Sequence, residues 1–434
     1  MDITGFGTLL LLLITSIFIY MTWNKMYKKR NLPPGPTPLP LIGNLLQLKL
    51  GEMAGSLMKL WDQYGPVYTL YFGSRPVVCI CGYQAVKEAL VDHAEEFGIR
   101  GRVPTIDKFT QGYGFAFANG ECWKEMRSFS LKTLRDFGLG KKSTEVKIQE
   151  EAQNLVMEIK KISGLQVDPS KIILEAVSNV VCSFIFGNSL DYKDERFLKL
   201  RTFSEETFYL MTSTWGQEKQ NPKSQFTIRN LLITVHNLLL GGMDTVPTTL
   251  KHALLILVTY PEIQAKLQTE IDKVIGRDRL PLLSDRSKMP YTEAVINEVQ
   301  RFADIGPLNI THSVSKDTQF RGYTIPKGID VYPLLCTVHR DPSQFSTPYK
   351  FNPNHFLDEN GGFKKNDAMM AFSAGKRKCP GEGLALIQLF VFLTTILQNF
   401  TLTSETKFTD DDIAPKLTGF LNHPISFQLS FIAR

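Results

Sequence analysis

One stretch near the C-terminus constrains this chain more than any other: Phe372-Ser373-Ala374-Gly375-Lys376-Arg377-Lys378-Cys379-Pro380-Gly381. It sets a cysteine at the head of the apolar run Leu384 to Phe400, with a glycine four residues before it and an arginine two before it. The apolar run predicts a strong helix, and Pro380 and Gly381 suit its first turn. At a helix N-terminus the free N–H groups and the dipole stabilise a thiolate. Gly375 permits a tight turn with no side chain in the way. Cys379 alone would pass for an ordinary buried cysteine, because free cysteines are mostly small hydrophobes. The whole pattern describes a socket for a haem iron, with Arg377 placed to pair with a haem propionate. A thiolate on haem iron favours O–O bond cleavage.

The pattern resembles the haem-binding signature of the cytochrome P450 superfamily. The resemblance implies haem b as cofactor, Cys379 as its axial ligand, and Phe372 and Gly375 beside the ring. It also implies the superfamily's fold, mainly helical with small β-sheets.

The N-terminus predicts where such a chain resides. Gly5 to Trp23 is 19 residues without a charge. As a helix it is about 28 Å long, a match to the hydrocarbon core of a bilayer. Lys25, Lys28, Lys29 and Arg30 follow at once, and only Asp2 precedes. Such a flank keeps the body of the chain in the cytosol. A cleaved signal peptide would want basic residues before the run and a small-residue cleavage site after it. Residues 1–30 are therefore expected to be a single-pass signal anchor. In the family this places the protein in the endoplasmic reticulum membrane. The prolines of residues 31–44 predict a stiff, extended hinge before a catalytic domain at 45–434. Six cysteines without a C-x-x-C pair fit a reducing compartment, and the net charge of +6 is too mild to argue for nucleic acid.

Periodicity supplies the elements. Val67 to Phe72 and Pro76 to Cys81 predict a hairpin turning at Gly73-Ser74. Helices are expected over Glu150–Ile162, Lys171–Phe186, Asp194–Met211, Leu231–Thr259, Glu262–Ile275 and Thr292–Phe302, with short strands between Thr311 and Pro333. A helix-rich chain with small sheets is α+β.

Three further constellations match the family. Trp123 and Arg127 share a helix face, and the resemblance gives them to the haem propionates together with Arg100, His312 and Arg377. Glu298 and Arg301 match the family's Glu-x-x-Arg, with His355 as third partner; the resemblance makes this trio scaffold beneath the haem. Gly241-Gly242-Met243-Asp244-Thr245 resembles the oxygen-binding helix. There Asp244 is expected to conduct protons and Thr245 to hold the reduced oxygen and a water, while the glycines let the backbone approach the ring. The family's second Thr or Ser is replaced by Val246, and Pro247 follows, which predicts a kink. Lys124, Lys132, Arg135, Lys141, Lys142, Lys376 and Lys378 compose a basic face suited to an acidic electron donor. Substrate contacts are expected from Phe115, Phe117, Gly242, Leu308 and Phe420, mostly apolar, so a lipophilic small molecule fits.

The family carries several further helices between Gln217 and Glu218, the lid and flank of its substrate pocket. Their loss here predicts exposed apolar surface on the long helix and weak haem binding. The expected activity is insertion of one oxygen atom from O2 into a lipophilic xenobiotic, fatty acid or steroid. Electrons would come from NADPH through NADPH-cytochrome P450 reductase, with cytochrome b5 as a second donor. Two alternatives stand beside it: a haem-thiolate isomerase or dehydratase, which would not need the Asp244-Thr245 relay, and a haem-poor, non-catalytic form.

Overall fold

A computed structural model describes residues 3–28, 32–49, 51–136, 142–186, 227–416 and 421–434. The expected helix Asp194–Met211, the Gln217–Glu218 junction, Lys141 and Phe420 lie outside the described residues. The chain divides into two compact units.

The first unit takes in Met1–Arg102 and Leu308–Thr337. Its opening helix α1 (Ile3–Lys28) contains the uncharged run and exposes Leu9 to Ile14, Ile17 and Phe18. Helix α2 (Met53–Tyr64) packs beside a sheet of order β1-β2-β7-β4-β3. Its strands are β1 (Val67–Phe72), β2 (Arg75–Ile80), β3 (Ile99–Arg100), β4 (His312–Ser313) and β7 (Asp330–Pro333), with a separate hairpin of β5 (Thr318–Phe320) and β6 (Tyr323–Ile325). The expected hairpin forms, with Val67 opposite Ile80 and Phe72 opposite Arg75. Alternation along the strands sends Tyr68, Leu70, Cys79 and Cys81 to one core with Leu57 and Cys336. The proline arm is extended and also docked. Thr69 N–H donates to the Pro34 carbonyl at 2.8 Å, and Asn44 N–H to that of Tyr71 at 2.7 Å. Only glycine fits at Gly35, because a Cβ there would stand 1.9 Å from the Thr69 carbonyl oxygen.

The second unit takes in Val103–Pro307, Val338–Lys416 and the C-terminal residues from 421. It is built from α3 (Pro104–Thr110), α4 (Gly120–Asp136), α5 (Lys142–Lys161), α6 (Ser170–Phe186), α7 (Ile228–Met243), α8 (Thr245–Thr259), α9 (Pro261–Val274), α10 (Pro290–Ala303) and α11 (Glu382–Asn399), with a β8 (Phe400–Thr403) and β9 (Ser430–Ala433) ladder. One core joins α5, α6, α8, α9, α10 and α11 through residues such as Ile148, Val177, Leu250, Leu267, Val299 and Phe390. Helix α11 is long and apolar enough to cross a membrane, yet it is largely buried in this core. A helix apolar on every side needs such cover.

The expected helix Leu231–Thr259 is two helices. Helix α7 ends at Met243, Asp244 departs to φ −119°, and α8 restarts at Thr245. The restart puts Pro247 in a first turn, where its missing N–H deprives no helical carbonyl. The predicted kink therefore falls three residues before the proline. Helix α11 likewise begins at Glu382, with Gly381 as N-cap, so Pro380 and Gly381 precede its first turn.

Candidate functional site

The Phe372–Gly381 stretch wraps back on itself before α11. Ser373 (φ +58°) and Gly375 (φ +67°) take left-handed conformations, and Cys379 N–H closes the loop on the Phe372 carbonyl at 2.9 Å. A side chain at Gly375 would resist that backbone. The closed loop presents the Cys379 thiol toward the start of α11. The thiol has accessible surface, yet dense protein around it pushes it up from its ordinary value. The Gly381 N–H pulls the thiol the other way, Glu382 adds to the rise, and the Arg127 cation and the Glu382 N–H again favour the thiolate. The two N–H groups at the helix terminus thus oppose the rise that burial causes.

Arg377 is buried, and its guanidinium lies 4.0 Å from the centre of the Trp123 ring. Its Nη1 donates to the Ala118 carbonyl at 2.9 Å and its Nη2 to Asn119 Oδ1 at 2.8 Å. Arg127, one turn along α4 from Trp123, donates to the Lys378 carbonyl at 2.5 Å. Burial, then the neighbouring Arg127, brings Arg377 down to about 9. Burial also lowers Arg127. Two desolvated cations thus stand side by side. The Trp123 Nε1–H is buried with no hydrogen-bond partner. A carboxylate here would accept from the Trp123 N–H and lie beside both cations, and a thiol stands in the same loop. The chemistry of this donor set, a thiol with two cations and an indole N–H around it, fits a haem, whose carboxylates and iron would call for such groups. Ala118 and Asn119, which orient Arg377, carried no local signal in the sequence.

In the first unit His312 Nδ1–H donates to the Phe97 carbonyl at 2.6 Å, so its Nε2 accepts from Arg100 at 2.7 Å. Here His312 orients Arg100.

Near the helix break, Thr245 Oγ1 donates to the Gly241 carbonyl at 2.7 Å, which spends its proton and leaves its lone pairs to accept. Asp244 is part-buried at the break. The two glycines differ. A Cβ on Gly241 would meet nothing within 4 Å, whereas one on Gly242 would stand 2.8 Å from Val181 Cγ2 of α6. Gly242 therefore lets α7 pack closely against α6.

Among the other expected substrate contacts, Phe115 is buried and Phe117 half-buried. Their loop is pinned to α7. Gly114 N–H donates to Asn230 Oδ1 at 2.6 Å, and Phe115 and Ala116 N–H groups donate to Asn237 Oδ1 at 3.2 and 3.1 Å. Two asparagines seven apart share a helix face, a signal the sequence did carry. Leu308 belongs to the first unit, where it packs on the core of α2 and the sheet.

The scaffold trio closes completely. Glu298 and Arg301 are fully buried and paired twice at 2.7 Å. Arg301 also donates to the carbonyls of His339, Pro348 and Lys350. His355 Nε2 accepts from Thr347 N–H at 3.2 Å, so its Nδ1–H donates to Glu298, 3.2 Å away. A second buried cluster went unread. Asp304, at the C-cap of α10, accepts from His339 Nδ1 and Arg340 Nη1, both at 2.8 Å. Burial would raise its carboxyl, but His339 and Arg340 together hold it below the usual range. Of the basic face, Lys378 pairs with Glu382 at 2.6 Å and Lys124 with Glu121 at 2.7 Å, both at the surface.

The sequence model of the family described as Cytochrome P450 matches residues 33–217 and 209–431. The chain is 44% identical to cytochrome P450 2G1 of Rattus norvegicus over 489 aligned positions, covering 99% of each protein. It is 46% identical to cytochrome P450 2F2 of Mus musculus, covering 98% of this chain and 99% of that one. It is 43% identical to cytochrome P450 2A6 of Homo sapiens, covering 98% of both. Because 489 aligned positions exceed the 434 residues present, at least 55 positions of the rat protein have no counterpart here.

Proposed function

The chain belongs to the cytochrome P450 family, and from that premise we propose a membrane-anchored haem-thiolate monooxygenase acting on a lipophilic small molecule. The observation that carries the proposal is the Cys379 loop beside the buried Arg377–Trp123 stack, whose orphaned Nε1–H and paired cations suit haem carboxylates. Haem held there by the Cys379 thiolate would supply the activation and cleavage of O2.

The protein residues have defined tasks. Cys379 gives its proton up to become the ligand, aided by the α11 terminus and Arg127. Trp123, Arg127 and Arg377 orient the cofactor and neutralise its carboxylates; Arg100, held by His312, is assigned to the same task by family resemblance. Asp244 holds and passes protons at its carboxylate, and Thr245 accepts with the lone pairs that its bond to Gly241 leaves available. Phe115 and Phe117, on a loop fixed by Asn230 and Asn237, offer apolar contact to a substrate. Electrons come from NADPH through a reductase at the basic face, with cytochrome b5 as a second donor. The anchor is α1, exposed and apolar from Leu9 to Phe18, in the endoplasmic reticulum membrane. Retention of Asp244-Thr245 disfavours the isomerase and dehydratase alternatives.

A second reading has its own support. Leu231 and Leu232 of α7 are 54% and 62% exposed, on the helix that the absent family segment would flank. A form lacking that cover binds haem weakly and is non-catalytic. The carbon monoxide difference spectrum of the reduced chain in membranes decides between them. A Soret band at the thiolate-ligated position, lost in Cys379→Ser, is expected. No haem, or a band at the non-thiolate position, overturns the monooxygenase reading for this chain.

A further inference from the structure

The C-terminal segment brings to Asp244 a side chain that no motif announced. Asn422 fixes that segment. Its backbone N–H donates to the Ile305 carbonyl at 2.9 Å, its side-chain N–H to the Asp304 carbonyl at 2.7 Å, and its carbonyl meets His252 Nε2 at 3.2 Å. The next residue, His423, therefore has a defined place against the first turn of α8. Its Nε2 stands 3.9 Å from Asp244 Oδ2, and its Nδ1 3.4 Å from Thr248 Oγ1, one turn further on. Its side chain is 49% exposed, against 29% for that of Asp244. The ring is thus the more exposed of the two and lies beside the acid at the helix break.

We propose that His423 reloads Asp244 with protons from solvent. The proposal rests on the monooxygenase reading, in which Asp244 is drained of protons by the reaction. In the step, the protonated imidazole releases one proton from Nε2 to the Asp244 carboxylate. That leaves a neutral ring and a carboxylic acid, and the ring recovers a proton from hydronium. Imidazole suits the task because its charge changes between about pH 5 and 8. Three neighbouring groups are otherwise committed or unsuited. His252 is held down at about 4, by burial first and by the His423 and Lys251 charges against its bond to Asn422, so it stays neutral. Asp304 is committed to His339 and Arg340. Thr248 is buried and offers only a hydroxyl.

Two measurements on the full chain in membranes test this. Diethyl pyrocarbonate attacks neutral imidazole, and peptide mass spectrometry reads its reaction at each histidine. At about pH 6, His423 should react roughly three- to fivefold faster in Asp244→Asn than in the unaltered chain, the factor a charge about 4 Å away exerts across water. Near pH 8.5, where imidazole is ordinarily neutral, the two chains should react alike. Equal rates at pH 6 overturn the pairing. In the second measurement, His423→Gln keeps a polar group beside Thr248 and cannot take up or release a proton near neutral pH. With reductase present its kcat should fall by about tenfold at neutral pH and lose its decline with rising pH, while KM and the carbon monoxide spectrum hold. An unaltered pH profile in His423→Gln overturns the relay. Absence of turnover in the unaltered chain overturns the monooxygenase reading alone, and carbethoxylation then decides the pairing.

Discussion

Glu298→Gln is the sharpest perturbation of the scaffold, because it removes a charge and changes almost no volume. In the folded chain both Glu298 and Arg301 are fully buried. The glutamine oxygen still accepts from Asn352 N–H, which meets Glu298 Oε1 at 2.7 Å. What disappears is the anion facing the guanidinium, so Arg301 keeps a full charge away from water. Removing one partner of a buried pair costs about 3–5 kcal/mol. With a urea slope near 3 kcal/mol per molar, the unfolding midpoint falls by about 1 to 1.7 M. Urea titration followed by tryptophan fluorescence reads this directly. Arg301→Met in the Glu298→Gln background removes the stranded charge in turn. The double variant should therefore lose less than the two single losses added together. A midpoint lowered by less than about 0.3 M in Glu298→Gln, or strict additivity in the double variant, refutes the account of a buried, mutually dependent pair.

Gly242→Ala places a methyl 2.8 Å from Val181 Cγ2 and should cost about 1–3 kcal/mol in thermal or urea unfolding; Val181→Ala in the same chain should recover much of it, and a neutral Gly242→Ala would place Gly242 away from α6. Gly375→Ala forces a side chain into φ +67° and should destabilise the cysteine loop by about 1–2 kcal/mol, read as haem content per chain; undiminished content would show that the loop needs no left-handed residue. His252 is held near 4 by burial, while in the unfolded chain it titrates at its ordinary 6.5. Protons therefore favour the unfolded chain below that value. Its share of stability is complete above about pH 6.5 and declines by about 2 kcal/mol on going to pH 5. His252→Gln should flatten that part of the pH–stability curve, and an unchanged slope would refute the assignment.

The local devices were legible from residues alone, because each is governed by near neighbours in the chain. The cysteine loop needs a left-handed Gly375 and a helix head, and both lie within ten residues of Cys379. Trp123 and Arg127 share a face of α4, and Glu298 and Arg301 a face of α10, through helical periodicity. The β1–β2 hairpin follows from alternation around Gly73-Ser74. The helix break resisted such reading: Pro247 announced a kink, but its place at Asp244 depends on where α7 stops.

Contacts between distant segments were decided by the tertiary structure. That Gly242 lies against Val181 of α6 is one such contact. Arg377 lies 4.0 Å from the centre of the Trp123 ring although some 250 residues separate them. Asp304 finds His339 and Arg340, 35 and 36 positions on, and His423 finds Asp244 across 179 (423 minus 244). Periodicity, capping and turn chemistry are short-range and are written where they act. Burial, desolvation and the partner of a buried charge depend on which segments pack together, and no single stretch of this chain carries that information.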